Sequence, residues 1–247
     1  MESQSNSMLT ELGIHESPVE NDPKYAHQLR VMADILEVAK KEYGDDPCFF
    51  TRRDFHSPVE SMSYNEVYDH VHLIGSGLMQ WKSPFIQKGR FIGIYGRNSP
   101  KWICAQNACG TYGYVQVPLH DTLGQEAMRH IIEQTEIQIL FCDTTERVKR
   151  LISWASEMVQ YVVLMNDTDD EYSKLKEMYS GKTHLYTYDE LLELGKKNKM
   201  KIPKCDPNDI FLICYTSGST GLPKGVVHTH KSFLHGIFLG EYFVPNR

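Results

Sequence analysis

The stretch IFLICYTSGSTGLPKG, Ile210–Gly225, decides how the rest of the chain is read. Its first six residues, Ile210 to Tyr215, are all apolar or aromatic, a length and composition that suit a buried strand better than a helix. The character then reverses. Thr216, Ser217, Ser219 and Thr220 bring hydroxyls, Gly218, Gly221 and Gly225 open backbone angles closed to other residues, and Lys224 brings one positive charge. Successive backbone N–H groups in a Gly-rich turn form a concave nest for anionic oxygens, and a lysine neutralises charge without needing fixed geometry. The pattern predicts a loop that holds polyphosphate.

The commonest phosphate loop, G-x-x-x-x-G-K-[ST], does not fit. Counted from Gly218, the second glycine falls on Pro223, and Lys224 is followed by Gly225 where a magnesium-binding hydroxyl is required. Val226 and Val227 suit a strand, so the loop is expected to join two strands instead of opening a helix, with helix resuming around Thr229 to Phe243. A Ser/Thr/Gly linker is the plain alternative; the buried strand leading into the loop and the ordered run of its residues argue against it.

Outward from this stretch, the 247 residues are 41% hydrophobic and 23% charged, the composition of a globular chain long enough for one large domain or two smaller ones. A net charge of −6 provides no basic field, so nucleic acid is not an expected partner. The nearest basic run, Lys196 to Lys201, holds four lysines and reads as a solvated helix end. Six cysteines show no metal-ligand spacing, and Cys104, Cys109, Cys142 and Cys214 sit among apolar neighbours, as buried reduced thiols do. The first 24 residues lack the basic and apolar regions of a secretory signal and read as a flexible polar tail.

In chain order, Val31 to Tyr43 carries apolar residues at helical spacing, and Pro47–Arg53 and Val59–Met62 read as a hairpin turning through Asp54–Pro58. Ser63 and Glu66 have capping-box spacing ahead of a helix from Tyr64 to about Trp81, in which Gly75 and Gly77 permit close packing. Arg90–Gly96, Val115–Leu119, Ile137–Cys142 and Tyr161–Met165 are expected strands. The helices between them are expected to open at Ser99–Pro100, at Thr122 with Gln125, and at Asp143 with Glu146. Such alternation predicts an α/β fold with a mostly parallel βαβ sheet covered by helices. Asn166–Glu171 is expected to be a surface loop, because it lacks the glycine and distal glutamate of a calcium loop. A short helix is expected at Tyr188–Leu194.

The segment YTSGSTGLPKG, Tyr215–Gly225, resembles the signature loop of the adenylate-forming (AMP-binding) enzymes, the acyl-CoA synthetases, luciferase-like enzymes and peptide-synthetase adenylation domains. NSPKW (Asn98–Trp102), VPLHDTLG (Val117–Gly124) and ILFCD (Ile139–Asp143) are similar to long-chain fatty acyl-CoA synthetases, and the D-T-L-G segment favours that branch. The resemblance implies the N-terminal part of a synthetase large domain, with residues 25–203 as one α/β subdomain and 204–247 as the start of a second, on a truncated second sheet. It implies ligation of a long-chain fatty acid to coenzyme A with ATP and Mg2+, through an acyl-adenylate. On matching positions, Thr216, Ser217, Gly218, Ser219, Thr220, Gly221 and Gly225 would wrap the phosphates, and Lys224 would follow the charge as pyrophosphate departs. It further implies a cytoplasmic setting, peripheral to the cytosolic face of the endoplasmic reticulum, mitochondrial outer or peroxisomal membrane.

The adenine pocket, the magnesium-binding glutamate and the lysine-bearing mobile domain of such enzymes have no matching motif between Val226 and Arg247. The chain by itself is therefore expected to bind ATP weakly and not to turn over, with a C-terminal hairpin whose sheet partners lie beyond Arg247. Alternatives are a non-catalytic interaction fragment, another adenylate-forming ligase, or a P-loop NTPase, the last disfavoured by Pro223 and Gly225. His228 and His230 follow the loop and are candidates to approach a phosphate or carboxylate, against the plainer structural role of most histidines.

Overall fold

The structure is a computed structural model describing residues 28–52, 56–81, 91–166, 168–216 and 221–243, with 238–243 described by backbone alone. The expected N-terminal tail and, in the Asp54–Pro58 turn, Asp54 and Phe55 lie outside the described residues.

Helix α1 (Met32–Tyr43) leads to a two-stranded antiparallel hairpin, β1 (Pro47–Thr51) and β2 (Glu60–Ser63). Helix α2 (Tyr64–Leu78) begins with the expected capping box: the Ser63 hydroxyl accepts from the Glu66 N–H, and the Glu66 carboxylate accepts from the Ser63 N–H at 2.7 Å. Then come β3 (Phe91–Tyr95), α3 (Pro100–Thr111, capped by Ser99), β4 (Val115–Leu119), α4 (Gln125–Thr135), β5 (Ile139–Cys142), α5 (Thr145–Ala155) and β6 (Tyr161–Leu164). The chain continues through α6 (Asp170–Met178), β7 (His184–Thr187), α7 (Tyr188–Lys197), β8 (Ile210–Thr216), β9 (Lys224–Thr229) and α8 (His230–Phe243).

The main sheet has the order β7-β6-β5-β3-β4-β8-β9, with every neighbouring pair parallel except β8 and β9. Each strand sends alternate side chains to opposite faces, and that period divides the core in two. In β5, Leu140 and Cys142 join Met128, Ile131, Val148 and Leu151 of α4 and α5. Ile139 and Phe141 join Val71, Ile74, Cys109 and Leu191 of α2, α3 and α7. The α2–α7 crossing is the tightest place in this second layer: a Cβ on Gly195 would lie 1.9 Å from the Leu73 carbonyl oxygen. Gly75 and Gly77 face the Tyr112 ring and Leu191 with equally little room, which is the close packing their sequence positions predicted.

Five expectations need correction. The loop hairpin is not on a second sheet: Gln116 of β4 pairs with Leu212 of β8, so β8 and β9 extend the same sheet. Nor are the partners of β8 missing, since Phe211, Leu212 and Ile213 are buried. Only β9 is exposed, with Val226 44% and Val227 53% accessible. Helix α4 is capped at Gly124 and not at Thr122, because Leu123 N–H closes a turn onto the His120 carbonyl and delays the helix. Helix α5 is capped by the Thr144 hydroxyl, since Asp143 is turned inward and buried. The acidic stretch after β6 is not a loop throughout: Asp169 accepts from Tyr172 N–H at 2.8 Å and starts α6. Helix α6 and the edge strand β7 were not anticipated, for they bury only Tyr172, Leu175 and Leu185 and leave little pattern to read.

The six cysteines are free. Cys104, Cys109 and Cys142 are fully buried as expected, while Cys214 is half-buried.

Candidate functional site

In a parallel sheet the carboxyl ends of the strands share one edge, where open α/β sheets hold their ligands. Strand β8 delivers Thr216 to that edge, and β9 returns antiparallel with Lys224 directly across from Thr216 and Gly225 across from Tyr215. The register therefore puts one hydroxyl and one ammonium side by side at the mouth of the hairpin. Thr216 and Lys224 are exposed, and Lys224 makes no ion pair among the described residues. Pro223 is buried beneath the turn, and Gly221 lies at φ +145°, a conformation that side-chain-bearing residues rarely adopt. No heavy atom lies within 4 Å of the place a Gly221 Cβ would occupy, so this side of the turn is open space. Ser217, Gly218, Ser219 and Thr220 lie outside the described residues.

Two contacts anchor the hairpin. The Tyr215 hydroxyl donates to Gln134 Oε1 on α4 at 2.6 Å, fixing the end of β8. At the other end, His230 Nδ1 accepts from the Met32 N–H at 3.2 Å, tying the start of α8 to the start of α1. That acceptor role requires a neutral ring nitrogen, and burial pulls the His230 pKa below its ordinary value in the same direction. His230 is thus a structural staple. His228 is half-buried, with its ring edge-on to Phe233 and its backbone opposite Leu212. It stands four residues from Lys224, about 13 Å along an extended strand. Neither histidine joins the hairpin mouth.

A second group on the carboxyl edge was not singled out by sequence. Asp143, at the end of β5, accepts from the Arg97 N–H at 2.9 Å and from Arg147 at 2.6 Å. Arg147 also pairs with Asp121, which accepts from the Tyr95 hydroxyl at 2.8 Å. The hydrogen bonds from Arg147 and Tyr95 hold the Asp121 carboxyl down at about 2. This network joins the ends of β3, β4 and β5, with one guanidinium shared between two carboxylates. Its traces in the sequence were the D-T-L-G segment and the aspartate after β5, read there as resemblance and as a cap.

The exposed hydroxyl, the unpaired cation and the open turn suit an anionic phosphate. Among the described residues no three His, Cys, Asp or Glu side chains converge.

A mostly parallel sheet of this order, with helices on both faces and a glycine-bearing hairpin on its carboxyl edge, defines an α/β domain. The family model described as AMP-binding enzyme matches residues 36–245, and the chain belongs to that family. Its sequence falls on the long-chain acyl-CoA synthetase branch. It is 31% identical over 230 residues to Long-chain-fatty-acid--CoA ligase 5 of Rattus norvegicus, covering 90% of this chain and 33% of that protein. It is 36% identical over 178 residues to Long chain acyl-CoA synthetase 6, peroxisomal, of Arabidopsis thaliana, covering 71% of this chain and 24% of that protein. The chain thus spans a third or less of the length of these curated relatives. Among solved structures, the fold is shared with the A domain of carboxylic acid reductase from Segniliparus rugosus, solved with AMP and a co-purified carboxylic acid. That match has a TM-score of 0.66 at 19% identity, over 81% of this chain and 36% of that one. The Mycobacterium tuberculosis fatty acyl CoA synthetase matches with a TM-score of 0.63 at 17% identity, over 89% and 38%.

Proposed function

We propose that this chain supplies the phosphate-holding hairpin of a long-chain fatty acid–CoA ligase. In that reaction a fatty carboxylate attacks the α-phosphate of ATP to give acyl-adenylate and pyrophosphate, and the thiol of coenzyme A then displaces AMP. The observation that carries the reading is the cross-strand pairing of Thr216 with Lys224 at the carboxyl edge, next to a glycine turn. The names of the curated relatives favour a fatty acid as the substrate and coenzyme A as the acceptor.

The adenylation step brings one anion against another, so it needs donors and cations on the departing phosphates. Thr216 would donate its hydroxyl, Gly221 and Gly225 would allow the backbone to approach, and Lys224 would balance the charge that builds on pyrophosphate. Ser217, Gly218, Ser219 and Thr220 would complete the wrap. Magnesium would neutralise the same oxygens from ligands other than the described residues. Within this reading residues 25–203 make one subdomain, and 204–247 open the next after lending two strands to the sheet. The peroxisomal designation of the Arabidopsis relative favours a peroxisomal setting within this reading. No described helix is long and apolar enough to cross a membrane.

The test is Lys224→Ala. In an active ligase containing this hairpin, fatty-acid-dependent ATP–pyrophosphate exchange is expected to fall about a hundredfold, in line with loss of a group that stabilises developing charge. Stability should change by less than about 0.5 kcal/mol, since the side chain is exposed and unpaired. Exchange at the unsubstituted rate would remove Lys224 from the mechanism. The 247-residue chain alone is expected to bind ATP weakly and form no acyl-CoA; acyl-CoA made by the purified chain would overturn that part.

A further inference from the structure

The lysine run after α7 is unused by the hairpin, and it borders a cleft of about 640 Å³ between α2 and residues 199–202. Tyr112 caps the end of α3 ahead of β4, and residues 199–202 precede β8, so this cleft lies toward the amino ends of the strands. The phosphate hairpin stands at the opposite, carboxyl edge.

The cleft has an apolar body and a charged mouth. Leu73 of α2, Leu192 of α7, Met200 and Ile202 supply the body, with Met200 42% and Ile202 40% accessible although both are large apolar side chains. Met200 is held in place by hydrogen bonds: its N–H donates to Ser76 Oγ at 3.1 Å, while Ser76 Oγ lies 3.3 Å from the Tyr112 hydroxyl. The wall is therefore built by buried polar groups and is not a loose segment. Lys196, Lys199 and Lys201 ring the mouth, opposed by Asp69 and Glu193. Glu193 is engaged by Lys196 at 3.5 Å, whereas Lys199 and Lys201 make no ion pair among the described residues. Outside the lining, Lys40 lies 3.7 Å from the centroid of the Tyr68 ring, and Glu37 accepts from the Tyr68 hydroxyl at 2.9 Å, so the two charges there offset each other.

We propose that this cleft binds a free amphiphilic anion, an aliphatic chain lying along Leu73, Leu192, Met200 and Ile202 with its carboxylate at Lys199 and Lys201. Its volume is in the range of about 300–1,000 Å³ in which small-molecule sites fall. Two unpaired lysines beside one free carboxylate, Asp69, select a negative head group, and the exposed Met200 and Ile202 gain by being covered.

The experiment uses the 247-residue chain labelled at its methionine methyl groups and titrated with decanoate below its aggregation concentration. Saturable movement of the Met200 signal is expected, with Met79 as an unmoved control. Lys199→Glu with Lys201→Glu should weaken decanoate about tenfold, two exposed charges being reversed. Decanol, with the same chain and no charge, should bind the unsubstituted protein about as weakly as decanoate binds the double variant. Both lysines are exposed, so the variant should keep its fold, which an unchanged Met79 signal checks. No Met200 movement, equal binding of decanol and decanoate, or response only to phosphatidylserine vesicles would each overturn the proposal. Since the readout needs neither ATP nor turnover, its failure would leave the hairpin's role standing, and an inactive Lys224→Ala enzyme would leave this site standing.

Discussion

Gly221 and Lys224 act at the same turn by different physics. Lys224 contributes charge and little to stability, whereas Gly221 contributes a backbone conformation, φ +145°, that costs other residues strain. Gly221→Ala is expected to weaken the hairpin by about 1–3 kcal/mol through that strain alone, because the added methyl would meet no heavy atom within 4 Å. Hydrogen exchange at the β8 and β9 amides checks it: protection should fall there and stay level in β3 and β5. Unchanged protection in the hairpin would show that the turn is not what holds it. His230 illustrates the opposite outcome for a conspicuous residue. Its position three residues after Val227 invited a role at the phosphate, yet its ring nitrogen is committed to the Met32 N–H.

At the scale of elements, β8 matters most, because it converts a loop motif into a fixed site. It is sandwiched between β4 and β9 and packs Phe211 against Met32 and Leu234, so the end of the strand inherits the rigidity of the sheet. Beside it, β4 carries a cost. Gln116 is fully buried, and among the described residues neither its amide nitrogen nor its amide oxygen has a hydrogen-bond partner. Burying such a group without partners is destabilising by about 1–3 kcal/mol. Gln116→Met, similar in volume and free of that penalty, is therefore expected to raise the midpoint of urea unfolding by a stability gain of about 1–2 kcal/mol. A lowered midpoint would show that the amide does have a partner in the folded protein. The last strand, β9, is an uncovered edge with Val226 and Val227 exposed on alternate faces, a surface suited to pairing with a further strand.

For the whole molecule, the pKa shifts predict how stability responds to acid. His70, His72 and His230 all sit below their ordinary value of 6.5, burial being the first cause for each. The unfolded chain takes up these protons first, so their contribution is intact above pH 6.5 and is lost as pH falls through the lowered folded values. Asp121, held at about 2 instead of 3.8 by Arg147 and Tyr95, follows the same sign: its contribution is present above about pH 4 and disappears toward pH 2. Glu66, lowered by its bonds from Ser63, adds to the second decline. Urea midpoints measured from pH 8 to pH 2 should thus fall in two stages, and His230→Gln should shrink the first. A midpoint flat from pH 8 to pH 5 would contradict the burial of the histidines.

Much of this was legible beforehand because local rules and tertiary packing agree. The Ser63 and Ser99 caps and the strands rich in Val and Ile are short-range signals, and each formed where its residues stood. Where a side chain had two possible employers, the sequence could not choose. Asp143 has the spacing of a cap but accepts from the Arg97 N–H just past β3 and from Arg147 on α5, and Thr122 lost its helix to a turn tied down near Asp121. The chain's own residues determined the α/β alternation and the glycine at Gly221 where the hairpin takes φ +145°, since both follow from periodicity and backbone freedom. Only the tertiary structure decided that β8 joins the parallel sheet through β4, that Thr216 and Lys224 face one another, and that His230 serves α1. Those outcomes depend on which distant segments share a strand register or a buried surface, which spacing along the chain does not encode.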